Sequence, residues 1–171
     1  MSEANESESK PRQAELRAKV LTVSDGVAAG TRDDVSGRAL VELLRRHGFV
    51  VLEHRVTTDG AAAVGNALSH MAYSFNGLIV TTGGTGFGPR DKTPEGTRRV
   101  IDRRAPGLAE AMRAVNPLGR LSRGVAGTRG RSLILNVPGS ASGAVEMLEA
   151  VLDVVPHAVR LMADNSDPHP T

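Results

Sequence analysis

The sequence contains no cysteine and very few aromatic residues, which make up 2% of the 171 positions. The absence of cysteine excludes disulfides and thiolate metal sites. So few aromatic rings cannot build a stacking surface for single-stranded nucleic acid, and a formal net charge of +2 gives little reason to expect a nucleic-acid partner. The arginines are scattered along the chain, and we interpret them as solvated helix faces. A local role in attracting a small anionic ligand is the alternative.

Long apolar stretches are also missing. No run approaches the roughly 18 residues that a membrane-spanning helix needs. Residues 1–15 are polar and contain no apolar run, so they predict a disordered tail rather than a signal peptide. Residues 164–171 predict a flexible tail, with two prolines. We therefore expect one domain over residues 16–163, no membrane association and a cytoplasmic location.

Short runs rich in β-branched residues alternate with segments of helical periodicity. The predicted strands cover residues 19–24, 49–57, 77–82 and 132–137. The predicted helices cover residues 36–47, 59–73, a segment opening at 93, 107–115, 144–155 and 156–162. This alternation predicts an α/β fold in which helices cover both faces of a mostly parallel sheet. Ligands of such sheets bind beyond the carboxyl ends of the strands.

Several helix ends carry recognisable signals. Asp34 is the predicted N-cap of the first long helix and Gly48 its stop, while Leu40, Leu43, Leu44 and His47 share one stripe. Thr93 followed by Pro94 predicts the start of the fourth helix segment. Asp59 opens the helix before it, either as a plain N-cap or as a second metal-binding carboxylate beside Asp91, and spacing alone leaves both open.

A glycine-rich loop follows the third predicted strand, with glycines at 83, 84, 86 and 88. Glycines let backbone N–H groups approach a ligand closely, and successive N–H groups form an anion nest. Asp91 lies in the same loop, where a carboxylate beside a phosphate makes sense if a divalent cation lies between them. The alternative is that Asp91 only complements the following helix dipole. The loop matches neither the Walker A pattern nor a dinucleotide fingerprint.

Two further loops lie at the same predicted end of the sheet. Ser24-Asp25-Gly26 follows the first strand, and taken alone it favours a turn with side-chain-to-backbone hydrogen bonds. Pro138-Gly139-Ser140 follows the last strand, and Ser140 or Ser142 either caps the next helix or donates to a phosphate. Together the three loops predict a site for a phosphorylated small molecule.

The residues in these loops resemble a known family. TTGGTGFGPRDKTPEGT (81–97) and LSRGVAGTRGRSLILNVPGS (121–140) closely resemble two hallmark segments of the molybdopterin-binding MogA/MoaB family, which includes the N-terminal domain of gephyrin. PGLAEAMR (106–113), VSDGVAAG (23–30) and DDVSG (33–37) also match. The resemblance covers about residues 17 to 162, and its two long motifs are highly specific.

The resemblance implies a MogA-like three-layer α/β sandwich that forms a homotrimer. It implies a molybdopterin adenylyltransferase of molybdenum cofactor biosynthesis, which converts molybdopterin and ATP to adenylyl-molybdopterin and pyrophosphate with Mg²⁺. The product would then pass to a molybdate-inserting MoeA-like protein.

The same resemblance assigns roles to residues of this chain. Asp59 and Asp91 match the family's two functional aspartates, so they are the expected catalytic residues and Mg²⁺ ligands. The expected substrate- and nucleotide-binding residues are Ser24, Asp25, Gly83, Gly84, Thr85, Gly86, Ser122, Pro138, Gly139 and Ser140.

Two departures from the family pattern keep alternatives open. Gly60 stands where an acid is common, and Ala141 stands where a proline is usual. The first alternative is a non-catalytic MoaB-type paralogue that binds molybdopterin. The second is a CinA-like enzyme acting on pyridine nucleotides, although such proteins are usually longer.

Overall fold

The computed structural model describes residues 14–163, and both predicted tails fall almost entirely outside them. The described chain forms one six-stranded sheet with the strand order β2-β1-β3-β6-β5-β4. The strands are β1 (Arg17–Val23), β2 (Val50–Thr57), β3 (Gly77–Thr82), β4 (Arg103–Arg104), β5 (Ala126–Arg129) and β6 (Ser132–Val137). The helices are α1 (Asp25–Ala28), α2 (Val35–Arg46), α3 (Ala61–Ala72), α4 (Thr93–Arg98), α5 (Pro106–Ala114), a 3₁₀ helix (Pro117–Leu121), α6 (Ala141–Glu149) and α7 (Val155–Ala163). None of the described helices is long and apolar enough to cross a membrane.

Strands β2, β1, β3 and β6 run parallel, while β5 is antiparallel to both β6 and β4. The prediction of a mostly parallel sheet is therefore confirmed, and the four predicted strands are its four parallel ones. The two antiparallel strands were missed because β4 is only two arginines long and β5 reads AGTR, which has no apolar periodicity.

Helices cover both faces of the sheet, as the three-layer prediction requires. One apolar cluster joins the sheet to α2, α5, α6 and α7, and the other joins it to α3. Successive residues of the central strands serve opposite faces, as Val20 and Leu21 do in β1. Strand β3 reads GLIVTT and is buried throughout, because both of its faces are covered.

The register of the sheet brings three strand ends to one place. Thr82 is paired with Thr22 of β1 on one side and with Val137 of β6 on the other. The loops that follow these strands therefore leave the sheet side by side. The Gly83 amide extends this contact by donating to the Val137 carbonyl at 3.2 Å.

The helix-end predictions for α2 are confirmed in part, and of the two alternatives for Asp59 the N-cap of α3 is excluded. Asp34 does cap α2, accepting from the Gly37 amide at 2.9 Å, and Gly48 has the positive φ (83°) expected of a stop. His47, however, is exposed at the C-cap and not on the buried stripe. Gly60, not Asp59, is the N-cap of α3, because the Asp59 side chain is hydrogen-bonded elsewhere.

The start of α4 also differs from its prediction by one residue. Lys92 is the N-cap, and it makes no side-chain capping hydrogen bond. The Thr93 hydroxyl instead donates to the Gly83 carbonyl at 2.9 Å and is fully buried. Thr93, which was predicted to be the N-cap, thus holds the glycine-rich loop against α4.

Candidate functional site

Two adjoining cavities lie beyond the carboxyl ends of β1, β3 and β6. Their volumes are about 470 and 530 Å³. Four residues, Gly84, Asp91, Gly139 and Ser140, line both cavities and form the boundary between them. The structure therefore makes a two-part site whose shared wall comes from the glycine-rich loop and the loop after β6.

The two cavities differ in the character of their outer walls. The first is bounded by the 3₁₀ helix and α6, which contribute the apolar side chains of Leu118, Leu121 and Met147. The second is bounded by the loops after β1 and before α2 and α3, and its lining includes Ser24, Asp33, Asp34, Ser36 and Asp59. The first cavity therefore has the more apolar outer wall, and the second has the more polar one.

The glycine-rich loop needs glycine at two positions for conformational reasons. Gly83 and Gly84 have φ values of 99° and 68°. A Cβ on Gly83 would lie 2.2 Å from the Val23 carbonyl oxygen, and a Cβ on Gly84 would lie 2.3 Å from the Thr93 hydroxyl oxygen. Any side chain here would push the loop away from the sheet.

The loop after β6 packs directly on the glycine-rich loop. A Cβ on Gly139 would lie 3.3 Å from the Gly83 Cα, and the Thr82 hydroxyl donates to the Pro138 carbonyl at 2.8 Å. Ser140 caps α6, its hydroxyl oxygen accepting from the Gly143 amide at 3.3 Å. The capping interpretation of Ser140 is therefore confirmed, and its position on the shared wall leaves it beside any ligand.

Asp25 and Asp59 hold their two loops together through reciprocal hydrogen bonds. The Asp25 amide donates to Asp59 Oδ2 at 2.9 Å, and the Asp59 amide donates to Asp25 Oδ1 at 3.1 Å. Arg90 then pairs with both carboxylate oxygens of Asp25 and donates to the Asp59 carbonyl. This guanidinium is the main cause that lowers the pKa of Asp25 below its ordinary value. Asp25 lines neither cavity, and its carboxylate holds the two loops together.

The expected metal-binding pair lies close to the shared wall. Asp91 lines both cavities and Asp59 lines the second. Asp91 accepts from the Gly88 amide at 2.9 Å through Oδ2, and Asp59 likewise accepts through its Oδ2. Among residues 14–163, nothing donates to the Oδ1 atom of either aspartate, so each has one oxygen available.

Carboxylate oxygens are ligands that Mg²⁺ accepts, and the ion commonly takes its other ligands from phosphates and water. The described part of the chain holds no group of three or more His, Asp or Glu side chains that could bind a metal by themselves. Such a site needs the substrate to be complete, which is how Mg²⁺ is commonly held at phosphate-transfer sites.

The two expected serines are both near the cavities. Ser24 caps the short α1, accepting from the Val27 amide at 3.2 Å, and lines the second cavity. Ser122 lines the first cavity, and its hydroxyl oxygen accepts from the Gly124 amide at 3.2 Å. Neither hydroxyl donates a hydrogen bond to another of residues 14–163, so each has a donor to offer a ligand.

Sequence reasoning missed several residues that shape the site. Leu118 and Leu121 belong to a 3₁₀ helix that no periodicity indicated, although they provide the apolar wall of the first cavity. No site role was predicted for Arg90 or Arg123, yet both donate to backbone carbonyls of the loops. An arginine inside or next to a glycine-rich motif was the available signal.

Comparison with known proteins agrees with this architecture. The family model described as a probable molybdopterin binding domain matches residues 19–157. A molybdopterin adenylyltransferase of Helicobacter pylori is 38% identical over 153 residues, covering 85% of this chain and 87% of the relative. The Escherichia coli K12 molybdopterin adenylyltransferase is 36% identical over 155 residues, covering 84% and 80%.

A solved structure extends the agreement to three dimensions. The molybdopterin biosynthesis enzyme MoaB of Thermus thermophilus superposes with a TM-score of 0.81 at 48% identity, covering 86% of this chain and 96% of that one. The chain therefore belongs to the molybdopterin-binding MogA/MoaB family.

Proposed function

We propose that this protein is a molybdopterin adenylyltransferase that acts in molybdenum cofactor biosynthesis. The terminal phosphate of molybdopterin attacks the α-phosphorus of ATP, the bond from that phosphorus to the β-phosphate oxygen breaks, and pyrophosphate leaves. The observation that carries the proposal is the pair of cavities that meet at Gly84, Asp91, Gly139 and Ser140.

A two-part site suits this reaction because both substrates consist of a ring system and a phosphate end. Each ring system can occupy one cavity while the two phosphate ends meet at the shared wall. Phosphoryl and nucleotidyl transfer depend mainly on alignment and charge neutralisation, with little covalent work for the protein. The glycine backbone supplies the alignment, since its N–H groups can approach the phosphates closely.

The charge at the meeting point supports a role for Mg²⁺. A carboxylate such as Asp91 would repel phosphate unless a cation lay between them. Asp59 and Asp91 would hold the ion through their available Oδ1 oxygens, and the ion would neutralise phosphate charge. The two carboxylates are oriented by the backbone, because the Oδ2 atom of each accepts a hydrogen bond from a backbone amide.

The remaining parts of the proposal rest on the resemblance to the family. We expect a homotrimer, a cytoplasmic location and delivery of the product to a molybdate-inserting MoeA-like protein. Light scattering on the purified protein checks the trimer, because a monomer or dimer at micromolar concentration would contradict it.

The decisive experiment measures pyrophosphate release from Mg-ATP with and without freshly prepared molybdopterin. Release that depends on the pterin supports the adenylyltransferase. Tight pterin binding without release would instead support the non-catalytic paralogue. ATP turnover that ignores the pterin would point toward a different enzyme, such as a CinA-like one.

The role of Asp91 has its own test. The Asp91→Asn variant should lose most of the pterin-dependent release, whereas Asp153→Asn, an exposed aspartate outside both cavities, should not. A folded Asp91→Asn protein with near wild-type release would show that Asp91 is not a metal ligand in the reaction.

The two-cavity arrangement can be tested with a matched pair of variants. Leu121 lines only the first cavity and Val35 only the second, and they are 56% and 55% exposed. Leu121→Ala should raise the KM for one substrate, and Val35→Ala should raise the KM for the other. If both variants affected the same substrate, the division of the site would be wrong.

A further inference from the structure

Arg123, which lines neither cavity, holds the glycine-rich loop through hydrogen bonds to its backbone. Arg123 Nε donates to the Gly86 carbonyl at 2.7 Å, and its Nη2 donates to the Asp91 carbonyl at 2.7 Å. Its own backbone amide donates to the Thr85 carbonyl at 2.9 Å. A single residue therefore binds the loop at both ends of residues 85–91.

Two other contacts restrain this stretch: Arg90 pairs with Asp25 and donates to the Asp59 carbonyl, and the Asp91 amide donates to the Gly88 carbonyl at 3.1 Å. Residues 87–90 are exposed, and inside the loop the Gly88 amide is held by the Asp91 carboxylate. Among the described residues, no other side chain donates to the carbonyl of Gly86 or of Asp91. Arg123 is therefore the described side chain that holds the backbone carbonyl of Asp91.

Glu95 in turn fixes the guanidinium. Arg123 Nη1 pairs with Glu95 Oε1, and this hydrogen bond is the main cause that lowers the pKa of Glu95. The other oxygen, Oε2, is buried and has no partner among the described residues. Among residues 14–163, Arg123 is the one side chain that is hydrogen-bonded to the Glu95 carboxylate. Glu95 and Arg123 therefore form an ion pair that supports the glycine-rich loop.

We propose that Arg123 is a positioning residue for the transfer reaction, acting through Asp91 and the glycine-rich loop. It lines neither of the two cavities that meet at the shared wall, so it does not touch the substrates itself. This inference rests on the proposed function. Arg123 would keep the Asp91 carboxylate and the loop amides in fixed positions relative to each other.

Replacement by lysine gives the sharpest variant. Lysine keeps the positive charge but has no planar fork, so it cannot bind two carbonyls and a carboxylate at once. Arg123→Lys should lower kcat for pyrophosphate release by about tenfold to a hundredfold, because small misplacements of reacting groups cost that much. KM for each substrate should change less than kcat, and the Mg²⁺ concentration for half-maximal rate should rise.

Arg113→Lys is the matched control. Arg113 is also partly buried, and it also donates to a backbone carbonyl, that of Gly124 at 2.8 Å, but not to the loop. This variant should keep wild-type kcat and Mg²⁺ dependence. A merely structural requirement for arginine in this region would affect both variants alike.

Hydrogen exchange supplies a readout that does not depend on the reaction. The hydrogen-bonded amides of Gly88 and Asp91 should exchange faster in Arg123→Lys than in Arg113→Lys, while those of β3 stay protected in both. If the wild-type protein releases no pyrophosphate, the proposed function fails, yet this comparison still tests whether Arg123 orders the loop. Equal loop exchange in the two variants would overturn the inference.

A second variant covers the case in which Arg123→Lys does not fold. Glu95→Gln keeps the shape of the partner but removes its charge, so it should loosen the contact with Arg123 more mildly. We expect a smaller fall in kcat in the same direction, together with faster exchange of the Gly88 and Asp91 amides. Unchanged kcat and Mg²⁺ dependence in folded Arg123→Lys, or in Glu95→Gln if the lysine variant is unfolded, would refute the positioning role.

Discussion

Asn136 gives the clearest prediction about how the sheet supports the site. Its side chain is fully buried on β6. The amide nitrogen donates to the Thr81 hydroxyl at 2.9 Å and to the Thr97 hydroxyl at 3.0 Å, and the amide oxygen accepts from the Val125 amide at 3.1 Å. One side chain therefore joins β6 to β3, to α4 and to the segment that carries Ser122.

The Asn136→Ala variant removes all three hydrogen bonds at once. The partly buried Val125 N–H then lacks its acceptor, which costs about 1–3 kcal/mol. The two threonine hydroxyls lose a donor but can still donate elsewhere, so we assign each a loss of about 1 kcal/mol. The free energy of unfolding should fall by about 3–5 kcal/mol, which lowers Tm by roughly 6–20 °C for a chain of this size.

Thermal unfolding at one fixed protein concentration measures this change, because association would otherwise shift Tm. Asn76→Ala is the matched control, since the Asn76 Oδ1 is buried without a partner among the described residues. Because this control removes a buried oxygen that has no partner in the described chain, we expect it to lose no stability. An Asn136→Ala protein that melts within about 2 °C of wild type would refute the reasoning.

Three further predictions concern the loops around the site. Gly83→Ala should destabilise the protein and abolish pterin-dependent pyrophosphate release. Gly86→Ala should remain folded and melt close to wild type, because its Cβ would meet only a carboxylate oxygen at 3.0 Å. Thermal melts and the release assay compare the two variants. The hydrogen bond from Arg123 lowers the pKa of Glu95 below its ordinary value of 4.5, which is the value in the unfolded chain. The pair should therefore stabilise the fold at pH values above 4.5 and lose this stabilisation as the pH falls through the lower pKa of the folded state. Thermal melts at acid pH should show a weaker pH dependence in Glu95→Gln. Arg90→Gln should speed hydrogen exchange in residues 25–28 without changing exchange in β3.

The sequence predicted the parallel part of the sheet well, because a strand covered on both faces must be apolar throughout. Residues 77–82 and 132–137 show this, and both are buried along their whole length. Their ends could also be placed, since strands of one parallel sheet finish at the same edge. The three loops of the site followed from that rule and from their glycines.

The parts that escaped prediction are those that only tertiary contacts define. The two-residue β4 exists because Arg103 and Arg104 pair with β5, which is itself too short and glycine-containing to show alternation. The role of Asn136 depends on Thr81 and Thr97, and no local pattern relates these positions. Likewise, the Arg123 contacts span 28 to 37 residues of sequence.

Gly60 shows how a backbone requirement can account for a departure from the family pattern. The sequence raised the concern that glycine, where an acid is common, weakens the role of Asp59. In the structure Gly60 is the N-cap of α3 with φ of 111°, a conformation that side chains rarely adopt. A Cβ there would contact nothing within 4 Å, so the position has space but an unfavourable backbone. Asp59 lines its cavity and binds the Asp25 amide without help from residue 60, and the glycine is therefore no argument against Asp59 as a site residue.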